Sequence, residues 1–177
     1  MIQDAVDFTK TVFSPDRVYR YTLWRQWWSD ELFITRTKLN YAMFIGLNPS
    51  TADETENDPT IRKCIGFAEK WGYDALCMTN LFAYRATDPR KMKGHDKPIG
   101  VDNDRWLVAC AREAGIIIAA WGVNGAHMGR DEEVLNLLDD VWCLRTTKNG
   151  YPEHPLYVPY ATEPVRFSAR YRESTGP

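Results

Sequence analysis

Two kinds of apolar pattern alternate along the chain. Tyr41 to Leu47, Ala75 to Leu81, Gly115 to Trp121 and Val141 to Arg145 are short, nearly continuous apolar runs. Runs of that length read as strands buried on both faces. Between them apolar residues recur every three or four positions. Asp58-Pro59 reads as N-cap and first helical residue, followed by Ile61, Cys64, Ile65, Ala68 and Trp71 on one face and by Gly72 as the stop. Asp102 to Ala114 places Trp106, Leu107, Cys110 and Ala111 on one side of a second helix, and Glu132 to Leu138 predicts a third. Strands alternating with helices imply a three-layer α/β sandwich with a mostly parallel central sheet.

Before this core, Val18 to Trp27 alternates Tyr19, Tyr21 and Leu23 with Arg20, Thr22 and Trp24, the period of a strand, and Leu32 to Thr35 is its expected partner. Residues 1–40 are therefore expected to elaborate a single domain spanning 1–177. In open α/β sheets ligands collect beyond the C-terminal ends of the strands. That directs attention to the loops after Leu47, Leu81, Trp121 and Arg145.

With 177 residues, 44% of them hydrophobic, the chain can bury one core. No run approaches a membrane span, and the N-terminus lacks a signal-peptide layout, so a cytoplasmic protein is expected. Cys64, Cys77, Cys110 and Cys143 are far apart among apolar neighbours. They read as buried free thiols, and neither metal nor cofactor is implied. The net charge of −2 advertises no global affinity for nucleic acid. The basic residues Arg85, Arg90, Lys91, Lys93 and Lys97 nevertheless gather in one stretch, which could neutralise phosphates or simply form a solvated face.

The four strand-end loops carry Gly46-Leu-Asn-Pro-Ser50, Thr79-Asn-Leu81 with Arg85 and Asp88-Pro89 after it, Trp121-Gly122, and His154-Pro155. In order and spacing these resemble the motifs of the uracil-DNA glycosylase superfamily. Gly46-Leu-Asn-Pro is similar to the first motif of its mismatch-specific branch, and His154-Pro155 to its late His-Pro-Ser motif. A closer similarity is to a widespread bacterial and phage domain family of unknown function, which leaves the substrate open. The resemblance implies a glycosylase-like fold and hydrolysis of the N-glycosidic bond of a base flipped out of DNA. It implies a duplex or single-stranded DNA partner, and a monomer is expected. Asn48 would hold the attacking water, Asn80 would read the edge of the flipped base, and His154 would bind the base's carbonyl oxygen as charge builds there. Gly46, Leu47, Pro49, Ser50, Phe82 and Trp121 would complete the base pocket. Arg85, Arg90, Lys91, Lys93, Lys148 and Tyr151 would contact DNA, with Leu156 or Tyr151 as a wedge.

The late motif reads His-Pro-Leu, with Leu156 in place of the family's serine, and Tyr84 stands near where the thermostable branch carries a cluster-binding cysteine. Asp53 follows the first motif and is an alternative activator of the water, or a group selecting a modified base. Asn48 before Pro49 also suits a plain turn. His154 also suits an ordinary surface position. Trp24, Trp27 and Trp28 suit a core or an oligomer surface better than a base platform. Two further readings share the fold: an N-glycosidase for free nucleosides or nucleotides, and a non-catalytic nucleic-acid or nucleotide-binding module.

Overall fold

The computed structural model describes residues 10–27, 39–50 and 56–168. Its elements are β1 (Val12–Phe13), β2 (Arg20–Gln26), β3 (Tyr41–Gly46), α1 (Pro59–Lys70), β4 (Ala75–Asn80), α2 (Pro89–Lys93), α3 (Asn103–Glu113), β5 (Ile116–Ala119), α4 (Arg130–Leu137), β6 (Val141–Cys143) and β7 (Val165–Arg166). Short 3-10 segments cover Val123–Gly129 and Pro155–Tyr157. The helix boundaries follow the sequence logic. Asp58 accepts the Ile61 N–H at 2.8 Å with Pro59 opening α1, and Gly72 leaves the helix at φ +77°.

The sheet is mixed, which corrects the expectation of a mostly parallel one. Its order is β1-β2-β4-β3-β5-β6-β7. The β4-β3, β3-β5 and β5-β6 pairings are parallel, whereas β1-β2, β2-β4 and β6-β7 are antiparallel. The parallel block comes from the four apolar runs, joined by three helical crossovers, after β3, β4 and β5. The antiparallel margins have local causes. A tight turn from Ser14 to Tyr19, with Arg17 at φ 58°, reverses the chain into β2, and β7 is a two-residue strand too short for periodicity to reveal. Leu32 to Thr35, the expected partner of β2, lies outside the described residues.

Two apolar layers enclose the sheet. Ile61, Cys64, Phe67 and Ala68 of α1 pack on Leu23, Phe44, Leu76 and Met78 from one side. Leu107 and Cys110 of α3 and Val134 of α4 pack on Tyr41, Met43, Cys77 and Ile117 from the other. Arg20 and Thr22, which alternate with Tyr21 and Leu23, are buried as well, because β2 is covered on both faces: Leu23 packs in one apolar layer and Trp24 in the other. Trp24 belongs to the core, its ring 4.8 Å from that of Tyr41, and the Trp27 indole donates to the Tyr73 carbonyl. Trp28 lies outside the described residues. All four cysteines are buried and free, and burial pushes the Cys143 thiol up to about 12. Among the described residues no helix is long and apolar enough to cross a membrane.

Candidate functional site

The four parallel strands end almost level. Gly46 pairs with Asn80, Ile45 with Ala119, and Ala119 with Cys143. Past these ends the β3-β4 ladder continues into the loops: Leu81 donates to the Gly46 carbonyl, Phe82 to Leu47 and Ala86 to Pro49, each at 2.9 Å. The Gly46–Ser50 loop is therefore a guided extension of the sheet. The segment after β6 folds back through Thr147–Tyr151 and Glu153–Arg145 backbone bonds, and Gly122, at φ +68°, donates to the Pro152 carbonyl at 3.0 Å. This pin delivers His154 to the strand ends.

A pocket of about 380 Å³ lies there, lined among others by Gly46, Asn48, Asn80, Trp121 and His154. Leu47 and Ser50 also line it, whereas Pro49 is buried behind, its carbonyl accepting from Ala86 and from Asn48. A larger cavity of about 470 Å³ opens beside Leu138, Val141, Arg166 and Phe167. It lies at the opposite end of the strands, where β6 begins, and none of the expected site residues reaches it.

The amides and the imidazole in the strand-end pocket are oriented by their surroundings. Asn48 Nδ2 donates to the Ala86 carbonyl at 2.7 Å and to the Pro49 carbonyl at 3.1 Å. Both bonds use the nitrogen end and turn Oδ1 into an acceptor available to a water. Asn80 is 2% exposed, and its Nδ2 has no hydrogen-bond partner among the described residues. Buried donors are rarely left so, which marks a group waiting for an acceptor. His154 Nδ1 accepts the Leu156 N–H at 3.4 Å, leaving Nε2 as the protonated nitrogen of the neutral ring. Burial pulls the His154 pKa below its ordinary value, against an opposing pull from the Asp58 carboxylate. The ring is thus neutral at neutral pH and still a donor.

The peptide that carries Asn80 is held from behind. Asn103 Nδ2 donates to the Asn80 and Leu81 carbonyls, both at 3.0 Å. Arg130, 1% exposed, donates through Nε to the Leu81 carbonyl at 3.0 Å and pairs with Asp104 and Glu133. Sequence patterning missed Asn103 and Arg130, because a buried polar residue at a helix start carries no periodic signal. It also missed Arg20, Asp58 and Asn124 as pocket residues.

Other expected site residues are placed elsewhere. Phe82 is fully buried in the core beneath the loop, its ring 5.6 Å from that of His127, and it does not line the pocket. Arg85 turns toward the β1-β2 hairpin, donating to the Arg17 carbonyl and lying over the Phe13 ring. Arg90 is tied bidentately to Asp88. Lys91, Lys148 and Leu156 are exposed, Tyr151 is half-buried in the returning loop, and Lys93 donates to Asn124 Oδ1 at the pocket rim. Asp53 lies outside the described residues. No group of three or more His, Cys, Asp or Glu side chains gathers into a metal site among the described residues.

Gly46 makes the closeness of the pocket floor measurable. A Cβ there would sit 2.8 Å from Met78 Cε and 2.9 Å from Asn80 Oδ1. Gly46→Ala should therefore displace the Asn80 amide and cost about 1 to 3 kcal/mol, the range of overpacking. Denaturant unfolding reads the cost, and a Gly46→Ala protein of wild-type stability would show that the floor is loose.

No curated protein and no solved structure matches the chain. One family model does, over residues 20–156, a span that opens on Arg20 and closes just past His154, so that all the pocket residues fall within it. The chain belongs to the family described as "Protein of unknown function (DUF1643)".

Proposed function

We propose that this chain is a DNA glycosylase that hydrolyses the N-glycosidic bond of a flipped, modified or damaged base. The observation that carries the reading is the meeting of Asn48, Asn80 and His154, delivered by three separate strand-end loops, in one pocket of about 380 Å³. Pockets of roughly 300 to 1,000 Å³ enclose ligands of small-molecule size, so a base fits.

The chemistry assigns each group one task. The base enters with a carbonyl oxygen toward the unpartnered Asn80 Nδ2 and the His154 Nε2–H. Asn48 Oδ1 accepts a hydrogen bond from a water and so aims the water oxygen at the sugar C1′. As the C1′–N bond breaks, its electron pair leaves with the base, where the His154 donor meets the growing negative charge. The water oxygen bonds to C1′, its proton passes to solvent, and the departed base is protonated on nitrogen. An amide is a poor base, so catalysis here rests on positioning and on stabilising the leaving group. In this reading Lys93, which donates to Asn124 at the rim, and the exposed Lys91 would hold phosphates, and Leu156, 38% exposed two residues beyond His154, would fill the gap in the stack.

The test is incubation of the full chain with single- and double-stranded oligonucleotides carrying different modified bases, followed by alkali. Strand breakage confined to one base supports the reading. Binding without breakage on every substrate would sink it and favour a binding module. The buried Arg20 in the same pocket favours a second reading, an N-glycosidase for free nucleotides, and release of base from a monophosphate without action on DNA would select it.

A further inference from the structure

At the rim of the strand-end pocket, one segment hangs between two fixed points. Trp121 before it and Arg130 after it are both buried. Each is joined to it through a glycine of positive φ, Gly122 and Gly129, both at +68°. A Cβ at either glycine would meet nothing within 4 Å among the described residues, so both have room to rotate. We propose that the segment from Gly122 to Gly129 is a lid on the pocket, hinged at its two glycines and latched by Lys93 and Asn124, and that ligand enters when the latch lets go. The lid would serve any ligand of the pocket, so it does not depend on the glycosylase reading.

The latch is one hydrogen bond. Val123 and Asn124 line the pocket from the lid, and Thr87 and Pro89 line it from the start of α2. Lys93, at the end of α2, donates to Asn124 Oδ1 at 2.8 Å and ties the two sides together. Neither side chain has another hydrogen bond or ion pair among the described residues. A single bond from an exposed lysine breaks readily.

The rest of the grip is mostly non-directional. Gly125 lies directly against the Trp121 indole, where a Cβ would sit 2.1 Å from Cδ1. The indole Nε1 has no hydrogen-bond partner among the described residues, so contact alone holds the lid there. His127 adds a tilted contact with the Phe82 ring, centroids 5.6 Å apart. Across the second hinge the Arg130 N–H donates to the Gly125 and His127 carbonyls, and α4 starts without a side-chain cap. Met128 stands at φ 60° with its side chain exposed, a left-handed conformation unfavourable for any residue with a Cβ. That strain works against closure, and the latch opposes it.

The test is hydrogen exchange of the full chain without ligand, read by mass spectrometry on peptides covering 122–130. The Arg130 amide reports the lid because its acceptors move with it. Asn124→Ala should speed exchange there about two- to tenfold, the range of one net hydrogen bond. Asn124→Asp, which adds charge to the pairing with Lys93, should slow it. Lys93→Met should match Asn124→Ala, and the two together should do no more than either alone. Peptides over β3 and β4 should not change. Access to the pocket floor is read separately. All four native cysteines are buried, so Asn80→Cys supplies the reactive thiol. Its alkylation by a maleimide should speed with Asn124→Ala and slow with Asn124→Asp. If Asn80→Cys does not fold by circular dichroism, exchange alone decides. Exchange over 122–130 that ignores Asn124→Ala, quickens in Asn124→Asp, adds up in the double variant or rises equally in β3 and β4 would overturn the lid. Alkylation indifferent to both Asn124 variants would do the same. Base excision is read on oligonucleotides, so its failure beside these shifts sinks only the glycosylase reading.

Discussion

Asn48→Ala lowers single-turnover base excision by about a hundredfold or more and leaves DNA affinity nearly unchanged. That split is expected because Asn48 Oδ1 is assigned to the water, which matters in the transition state, whereas the basic rim binds the substrate beforehand. The structure adds a control. Asn48 Nδ2 also ties the loop to the Ala86 and Pro49 carbonyls, so part of the loss could come from a loosened loop. Loosening would raise KM together with lowering kcat, and a pure loss of water positioning would lower kcat alone. Lys91→Ala with Lys93→Ala gives the opposite pattern: weaker binding on every sequence, and a salt dependence whose slope flattens by about one for each phosphate no longer neutralised. Full activity in Asn48→Ala would remove the proposed role and direct attention to Asp53.

The largest loss of stability is expected at Arg130. Arg130→Ala should cost about 2 to 4 kcal/mol, mainly from the cavity it leaves, with a smaller part from its bond to the Leu81 carbonyl, which then keeps only the Asn103 amide as donor. Asp104 and Glu133 are 51% and 57% exposed, so water takes over their solvation and the ion pairs add little to that figure. For a chain of this size the midpoint of thermal unfolding should fall on the order of 10 °C. Because the same guanidinium steadies the peptide after Asn80, ligand affinity should fall in the surviving folded protein as well. A change below about 1 kcal/mol would mean that Asn103 alone holds that turn.

The parallel block was legible because β3, β4, β5 and β6 are apolar on both faces, and because Asp58-Pro59 and Gly72 punctuate α1 with residues whose conformational preferences are strong. The pocket's amides were legible too, since Asn48 and Asn80 are polar residues standing where apolar runs stop, whereas His154, nine residues beyond its run, was reached through the resemblance of its His-Pro pair. Arg20 was not. Its strand alternates with period two, which in a strand covered on one face sends every second residue to water, and nothing local reveals that both faces of β2 are covered. Phe82 was misplaced for a related reason: the ladder continues past β4, so an aromatic beyond the strand's end is still core. Asn103 and Arg130 escaped because a helix's first residue is normally a surface position. Only the packing of α3 and α4 beneath the Asn80 turn makes them internal.

The reversed direction of β2 has a bearing on how such a site can diversify. In an all-parallel sheet, everything at the ligand edge is a loop that follows a strand, and each such loop must also carry the chain back through a helix. Here one wall precedes its strand and is fed by the short turn from Ser14 to Tyr19. Lengthening or shortening that turn by a residue would re-aim the Arg20 position and disturb no crossover helix. Substrate preference can therefore drift at the hairpin while the amides of the parallel block stay fixed.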